Sequence, residues 1–537
     1  MEQNDITDRV PRDLAISRDI GFEVAERYNA SEILFDNLNA GRADKVAIYA
    51  ATGNATYGEL CATACQVGNA LAGQGLASFS RILMLLDDTA VYPAAIFGAM
   101  RAGFVPVLIN TLSPPDLIQY YLEDSGATVA IVESGLAALL TPETVTGTEL
   151  KTVIVANGDG APSAEVESVT WDDWLAGHRT DMDQADTYRD DMAFWMYSSG
   201  STGRPKGIVH LHHDMAYTHA SYAQEILELR ADDICFSPPK IFFAYGFGNS
   251  ITFPFAVGAS AVLNAGRPEP ASVFAAIERY KPTILFGLPT LYNALLNDES
   301  NSAAGLKSVR LCLSAAETLS NELFKAWQNR FDLDIIEGLG STEVLHIYLS
   351  NAPDAFKVGA AGRPVQGYEV ELRNDQGEPI KPDEPGVLWV RGDSNAPCYW
   401  NKPDKTAETM RDGWIYTGDR FETDEDGFYY FRGRADDLIK VSGQWVYPLE
   451  IELCLADHPA VKECAVLGVE LADKRMSTTA FVVVVDDHHA GGGLTEELKA
   501  YAKTNLLPHK YARTVVYLAA LPKTGSGKID RQALRDL

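Results

Sequence analysis

The stretch Tyr197-Ser-Ser-Gly-Ser-Thr-Gly-Arg-Pro-Lys-Gly207 gathers three glycines, three serines, a threonine and a lysine into eleven residues. That composition handles phosphate. Glycine lets backbone turn sharply and approach an anion, hydroxyls donate to phosphate oxygens, and lysine adds a point charge. The segment is not a Walker loop, which needs Gly-Lys-Ser/Thr in succession; here Pro205 precedes Lys206 and Gly207 follows it. Taken alone, it also reads as a flexible surface loop.

Five further motifs follow in order: Gly340-Ser-Thr-Glu343, Tyr416-Thr-Gly-Asp419, Gly433-Arg-Ala-Asp-Asp-Leu-Ile-Lys440, Ser442-Gly443 and Pro522-Lys-Thr-Gly-Ser-Gly-Lys528. With the first loop they closely resemble the adenylate-forming superfamily of acyl-CoA synthetases, adenylation domains and luciferases, from about residue 30 to 535. The resemblance implies ATP and Mg²⁺ in a first half-reaction that makes an acyl-adenylate, and a thiol such as coenzyme A in a second.

Length and composition agree with a large enzyme. A chain of 537 residues exceeds one core and predicts two or more domains. The 45 Lys plus Arg against 74 Asp plus Glu give a net charge of −29, which disfavours nucleic acid and anionic membranes as partners. The N-terminus lacks the basic start and apolar core of a signal peptide, and no apolar run approaches the ~18 residues of a membrane span. A cytoplasmic protein is expected. The seven cysteines show no Cys-x-x-Cys pair, so they read as reduced, mostly buried thiols.

Apolar runs at Arg81–Leu86, Val105–Ile109 and Thr128–Val132, with a helix-like segment at Ala90–Gly103, give the rhythm of a parallel α/β sheet. A second series runs through Ala261–Leu263, a helix over 271–281, Thr283–Phe286, Val309–Leu313 and Asp334–Ile336. Gly-Pro turns and short strands such as Val387–Val390 mark residues 358–431 as a small β-rich subdomain. The last ~100 residues predict an α+β domain with a helix at Ile451–Ala456, strands at Val461–Val469 and Thr479–Val485, and a glycine-rich turn at 491–493. The expected fold is α/β: an N-terminal domain over 1–434, of two α/β sheet subdomains and the β-rich one, and a small mobile C-terminal domain over 435–537. The resemblance puts a hinge at Asp436.

The chemistry sets the site. Charge accumulates at phosphorus, so preorganised donors, a metal and lysine are needed. The resemblance assigns Ser198, Ser199, Gly200, Ser201, Thr202, Gly203 and Lys206 to the pyrophosphate cradle, and Glu343 with Thr202 to Mg²⁺, a hard cation that prefers oxygen ligands. It assigns Ala315, Ala316, Glu317, Gly338, Leu339, Gly340, Ser341 and Thr342 to the nucleotide. Leu339 stands where many members carry an aromatic, so apolar contact replaces stacking under adenine. Asp419 matches the aspartate that accepts from both ribose hydroxyls, and Arg434 lies near the same ribose. Lys528 matches the adenylation lysine. Lys440, Ser442 and Gly443 match the segment that replaces it for the thioester step.

Lys240-Ile-Phe-Phe-Ala-Tyr-Gly-Phe-Gly-Asn249 and Gly340-Ser-Thr-Glu-Val-Leu-His-Ile347 look like benzoate-CoA ligases and their aryl relatives. By that likeness Phe243 gates the cleft, Ala244, Tyr245 and Gly246 form one wall, and Gly340, His346 and Ile347 the other. Aromatic faces and small residues favour a short, flat acid. His346 is either a packed histidine or a residue near the ring substituent. Alternatives stay open: a short non-aromatic or alicyclic acid, or loading of a carrier protein. A homodimer is one option for the assembly. The clusters His210-x-His212-His213 and Asp486-Asp-His-His489 lack a zinc spacing, and the acidic stretch Asp181–Asp191 reads as a solvated connector.

Overall fold

The computed structural model describes residues 12, 14, 16–17, 20–198, 204–298, 306–381, 384–435, 439–441, 444–470, 476–485, 490–507, 510–523 and 529–537. The chain divides into two compact units, Met1–Val370 with Val390–Tyr416, and Glu371–Trp389 with Thr417–Leu537.

Within the first unit, side chains alternate along strand Arg81–Leu85: Ile82 and Met84 enter one apolar core, Leu83 and Leu85 another. Strand Val129–Glu133 splits the same way, Val129 and Ile131 to the first core, Ala130 and Val132 to the second. Burial on both faces is why these strands read as unbroken apolar runs. They belong to a seven-stranded sheet ordered Glu167–Thr170, Thr152–Ala156, Val129–Glu133, Arg81–Leu85, Val105–Leu108, Met192–Ser198, Lys206–Leu211. All its pairs are parallel except the last, an antiparallel hairpin.

A nine-stranded sheet contains the second predicted series, in the order Arg363–Pro364, Ile347–Ser350, Ile335–Gly340, Leu311–Ser314, Ile284–Gly287, Ile234–Phe236, Ser260–Leu263, Val46–Ala50, Ala55–Thr56. The first core draws on both sheets and holds helices Tyr57–Ala72 and Val91–Arg101. Thr56 and Glu59 close the first helix with a reciprocal capping box. The helices cross at Gly98, where a Cβ would lie 2.5 Å from the Ala64 carbonyl oxygen, so only glycine admits this approach.

Residues 369–434 supply the expected small β structure, a five-stranded sheet of Glu369–Arg373, Gly386–Arg391, Trp414–Thr423 and Met410–Arg411, with Tyr429–Arg434 also on Trp414–Thr423. Further along, Val461–Glu470 pairs antiparallel with Met476–Val484, which pairs parallel with Thr514–Tyr517. Helices Pro448–Ala456, Gly492–Asn505 and Arg531–Arg535 accompany them.

Two local expectations are corrected. The glycine run is not a free-standing turn, because Gly492 and Gly493 open helix Gly492–Asn505. Leu494, Leu498 and Ala502, spaced four apart and buried, carry that helix, and their packing outweighs the weak propensity of two glycines in its first turn. The acidic stretch is solvated only in part. Asp181 and Asp183 are exposed, whereas Asp190 and Asp191 are buried, Asp190 accepting from the Arg12 amide and Asp191 from the Tyr188 amide. Among the described residues no helix is long and apolar enough to cross a membrane.

Candidate active site

Three of the predicted segments begin where a strand ends: the phosphate loop after Ser198, Ala315–Glu317 after Ser314, and Ser341–His346 after Gly340. Strands Leu311–Ser314 and Ile335–Gly340 are parallel neighbours, so the last two segments leave the same edge of their sheet. Carboxyl ends of parallel strands are where α/β folds hold ligands.

Ser198 and Lys206 are register partners across the antiparallel hairpin, which sets the two ends of the phosphate loop side by side. Tyr120 donates to the Pro205 carbonyl at 2.7 Å and stacks beneath the Arg204 guanidinium, 5.1 Å from its ring centre. Tyr197 donates to Asp124 at 2.9 Å, and Lys402 pairs with the same carboxylate at 3.2 Å. Burial pushes the Tyr197 phenol well above its ordinary range, so it stays a donor. Ser199, Gly200, Ser201, Thr202 and Gly203 lie outside the described residues, as do Asp436, Ser442, Gly443 and Lys528. Lys440 is described only as backbone, in a hairpin of Ile439–Val441 with Gln444–Val446.

Glu343 sits on a one-turn helix, Thr342–Val344. Its peptide surroundings are held from three sides: His210 Nε2 lies 2.8 Å from the Thr342 carbonyl, Ala396 donates to the Glu343 carbonyl at 2.8 Å, and Ser394 donates to that of Val344 at 2.9 Å. Leu345 follows at φ 71, ψ −41, buried in the first core. A leucine there is strained and persists only because surrounding contacts over-determine it. The Tyr399 hydroxyl donates to Glu343 Oε1 at 2.8 Å, and its ring carries the Lys206 ammonium 4.1 Å from its centre.

His210, His212 and His213 are structural. His210 spans Asp214 and Thr342, each at 2.8 Å. His212 accepts from the Ala30 amide at 3.0 Å, and burial pushes its pKa down to about 3. For His213 burial works against the charged form, yet Asp214 and a hydrogen bond to Asp190 hold it above the ordinary range, and it reaches the Arg189 and Asp393 carbonyls at 2.8 Å. Asp486–His489 lies outside the described residues.

Among the residues expected to meet the nucleotide, a Cβ at Gly340 would meet the His346 carbonyl oxygen at 2.5 Å and one at Gly338 would meet Ile347 Cγ2 at 3.1 Å. Ala316 has φ 69, and Glu317 accepts from the Thr290 amide at 3.1 Å. Sequence reasoning missed Glu337. Its Oε1 accepts from the Leu319 amide at 3.1 Å, Oε2 has no partner among the described residues, and burial pushes its pKa up to about 8.

Residues expected to line the acid pocket meet in an aromatic nest. The His346 ring lies 4.5 Å from Phe253 edge-on, 5.3 Å from Tyr222 and 5.6 Å from Tyr245. Tyr222 and Gly248 come from two π-helical turns, His219–Gln224 and Gly248–Thr252, an uncommon geometry enriched at functional sites. Phe243 precedes helix Ala244–Phe247, and Gly246 is forced by the Lys240 carbonyl, against which a Cβ would collide. Burial drives the His346 pKa down to about 3. Its Nε2, 3.3 Å from the Tyr245 carbonyl, carries the proton, which leaves Nδ1 as a buried acceptor without a partner among the described residues. The Tyr245 hydroxyl and the Asn249 amide are equally buried and interact with one another.

In the second unit, Asp419 and Arg434 are register partners on adjacent strands, with Nη1 donating to Oδ1 at 2.9 Å. Arg434 also donates to the Thr417 carbonyl at 3.0 Å. The ends of the lysine loop are tied by a bridge between Lys523 and Ile529 and by donation from the Asp530 amide to Pro522 at 2.8 Å.

Residues 35–400 match the family model for AMP-binding enzymes, and residues 450–528 match the AMP-binding enzyme C-terminal domain. The chain belongs to the AMP-binding enzyme family. This AMP-binding enzyme is 41% identical to a benzoate–CoA ligase of Thauera aromatica over 96% of its own length and 97% of the relative's. It is 40% identical to a 4-hydroxybenzoate–CoA/benzoate–CoA ligase of Rhodopseudomonas palustris, covering 95% and 94%. Among solved structures, an anthranilate–CoA ligase in complex with anthranoyl-AMP superposes with a TM-score of 0.89 at 36% identity, covering 96% of this chain and 98% of that one.

Proposed function

We propose that this AMP-binding enzyme is an ATP-dependent acid–CoA ligase that activates a small aromatic carboxylate as its acyl-adenylate, releasing pyrophosphate, and then forms the CoA thioester, releasing AMP. The observation that carries the substrate class is the aromatic nest around His346, in a chain 41% identical to a benzoate–CoA ligase. Ring faces and a neutral imidazole suit a planar acid.

In this reading Lys206 and the phosphate loop take the pyrophosphate end of ATP, and Asp419 with Arg434 takes the ribose, whose vicinal diol a carboxylate accepts well. Glu343 and Thr202 would hold Mg²⁺. Among the described residues no three His, Cys, Asp or Glu side chains could cage a metal by themselves, and a lone carboxylate suits an ion that keeps waters and phosphate oxygens as its other ligands. Bound there, Mg²⁺ neutralises charge on the phosphates. Lys528 serves adenylation, Lys440-Val-Ser-Gly443 serves the thioester step, and Asp436 is the hinge between a 1–434 domain and a 435–537 domain. A cytoplasmic location belongs to the same reading and is supported by seven free cysteines.

The test is AMP release by purified protein with ATP, Mg²⁺ and CoA across benzoate, hydroxybenzoates, 2-aminobenzoate, cyclohexanecarboxylate, acetate and octanoate, with each thioester identified by mass. Turnover confined to flat ring acids supports the reading. AMP from linear or alicyclic acids overturns the substrate class, and adenylate formed without a CoA thioester points to a carrier-protein thiol.

A further inference from the structure

Tyr399 belongs to none of the six motifs, yet it touches both charged residues at the phosphate end of the site. Its hydroxyl donates to Glu343 Oε1 at 2.8 Å and its ring faces the Lys206 ammonium at 4.1 Å. The side chain is 2% exposed. Its backbone is fixed as firmly: Tyr399 bridges Ile208, the Trp400 amide donates to Gly207 at 2.8 Å, and the Tyr399 amide donates to Thr406 Oγ1 at 3.0 Å. The segment 398–400 is therefore laid along the strand that follows the phosphate loop.

We propose that Tyr399 is a positioning residue which orients the Glu343 carboxylate toward the cation accompanying ATP and holds the Lys206 ammonium in place until phosphate displaces it. The inference rests on the ATP-dependent reading above. A glutamate carboxylate turns broadly about its last torsion, and a phenol hydrogen-bonded to one oxygen fixes the plane of the group while leaving the other edge to a hard cation. One tyrosine touches both groups, through its hydroxyl for the acid and its π-face for the ammonium. A cation–π contact is weaker than a contact between ammonium and phosphate, so the ring releases Lys206 when ATP arrives.

Two variants separate the halves of this role, Tyr399→Phe, which keeps the ring and removes the hydroxyl, and Tyr399→Leu, which removes both. The readout is ATP binding to the full chain by calorimetry, without Mg²⁺ and across a Mg²⁺ titration. For Tyr399→Phe the expected result is metal-free ATP binding within about twofold of wild type, with the Mg²⁺ needed for half-maximal tightening raised about tenfold or more, as removal of a group that orients a metal ligand does. Tyr399→Leu is expected to weaken metal-free binding as well. An unchanged Mg²⁺ midpoint in a Tyr399→Phe protein with wild-type melting overturns the role of the tyrosine alone. Wild-type binding of ATP that ignores Mg²⁺ overturns the underlying reading and this inference with it.

Discussion

A Cβ on Gly248 would stand 2.6 Å from Nε2 of His346, so the imidazole occupies the space that any larger residue at 248 would fill. The ring cannot yield easily, because Phe253 and Tyr222 hold it from other sides. Gly248→Ala is expected to raise the KM for the aromatic acid about tenfold with little change in the KM for ATP, and to lower stability by about 1–3 kcal/mol through overpacking. Steady-state kinetics with each substrate varied, together with melting curves, checks this. Equal effects on both KM values would remove His346 from the acid pocket.

The buried polar groups near His346 make a second prediction. Buried polar groups short of partners cost stability, and a ligand that supplies a partner recovers it. Ring hydroxyl or amino groups are such ligands. Asn249→Leu is expected to lower kcat/KM for hydroxybenzoates relative to benzoate by about tenfold, within the range a buried polar contact commands. A ratio unchanged across the substrate panel would assign the polar groups to internal water.

Glu337 predicts a pH dependence of stability. Its native pKa is raised from 4.5 to about 8, chiefly by burial. The folded chain then keeps a proton that the unfolded chain begins to lose near pH 4.5. The contribution is full below that pH and is lost as pH rises through about 8. Across this window the melting temperature of the wild type is expected to fall relative to that of Glu337→Gln, which cannot titrate there. Parallel melting curves for the two proteins would show that the carboxyl is solvated or paired.

Lys528→Ala is expected to lower adenylation by about 10², the scale of losing one charge-stabilising donor, and to spare thioester formation from supplied acyl-adenylate. Pyrophosphate release and thioester yield, measured separately, decide it. Equal losses in both halves would end the division of labour between Lys528 and Lys440.

What could be read in advance was local. Runs such as Ile82–Leu85 announce strands because burial on both faces leaves no polar position. The supports of the site were illegible for the opposite reason. Tyr399 reaches Glu343 across 56 residues of sequence and His210 reaches Thr342 across 132, and nothing in either segment encodes its partner. Nothing in the residues around Glu337 sets it apart, and only the fold reveals that its second oxygen is buried. The glycines at 492 and 493 misled because their propensity is weak while the helix rests on Leu494, Leu498 and Ala502.

Only Val344 and the strained Leu345, whose side chain is sunk in the core, separate the residue proposed for the metal from the histidine proposed for the acid pocket. Glu343 and His346 are thus mounted on one rigid bracket. A lineage adapting this enzyme to a new acid has little room to remodel that bracket, since each shift of the histidine would also displace the glutamate. Diversification should accumulate at positions that touch the acid without bearing on this bracket, so that the phosphate chemistry stays as it was.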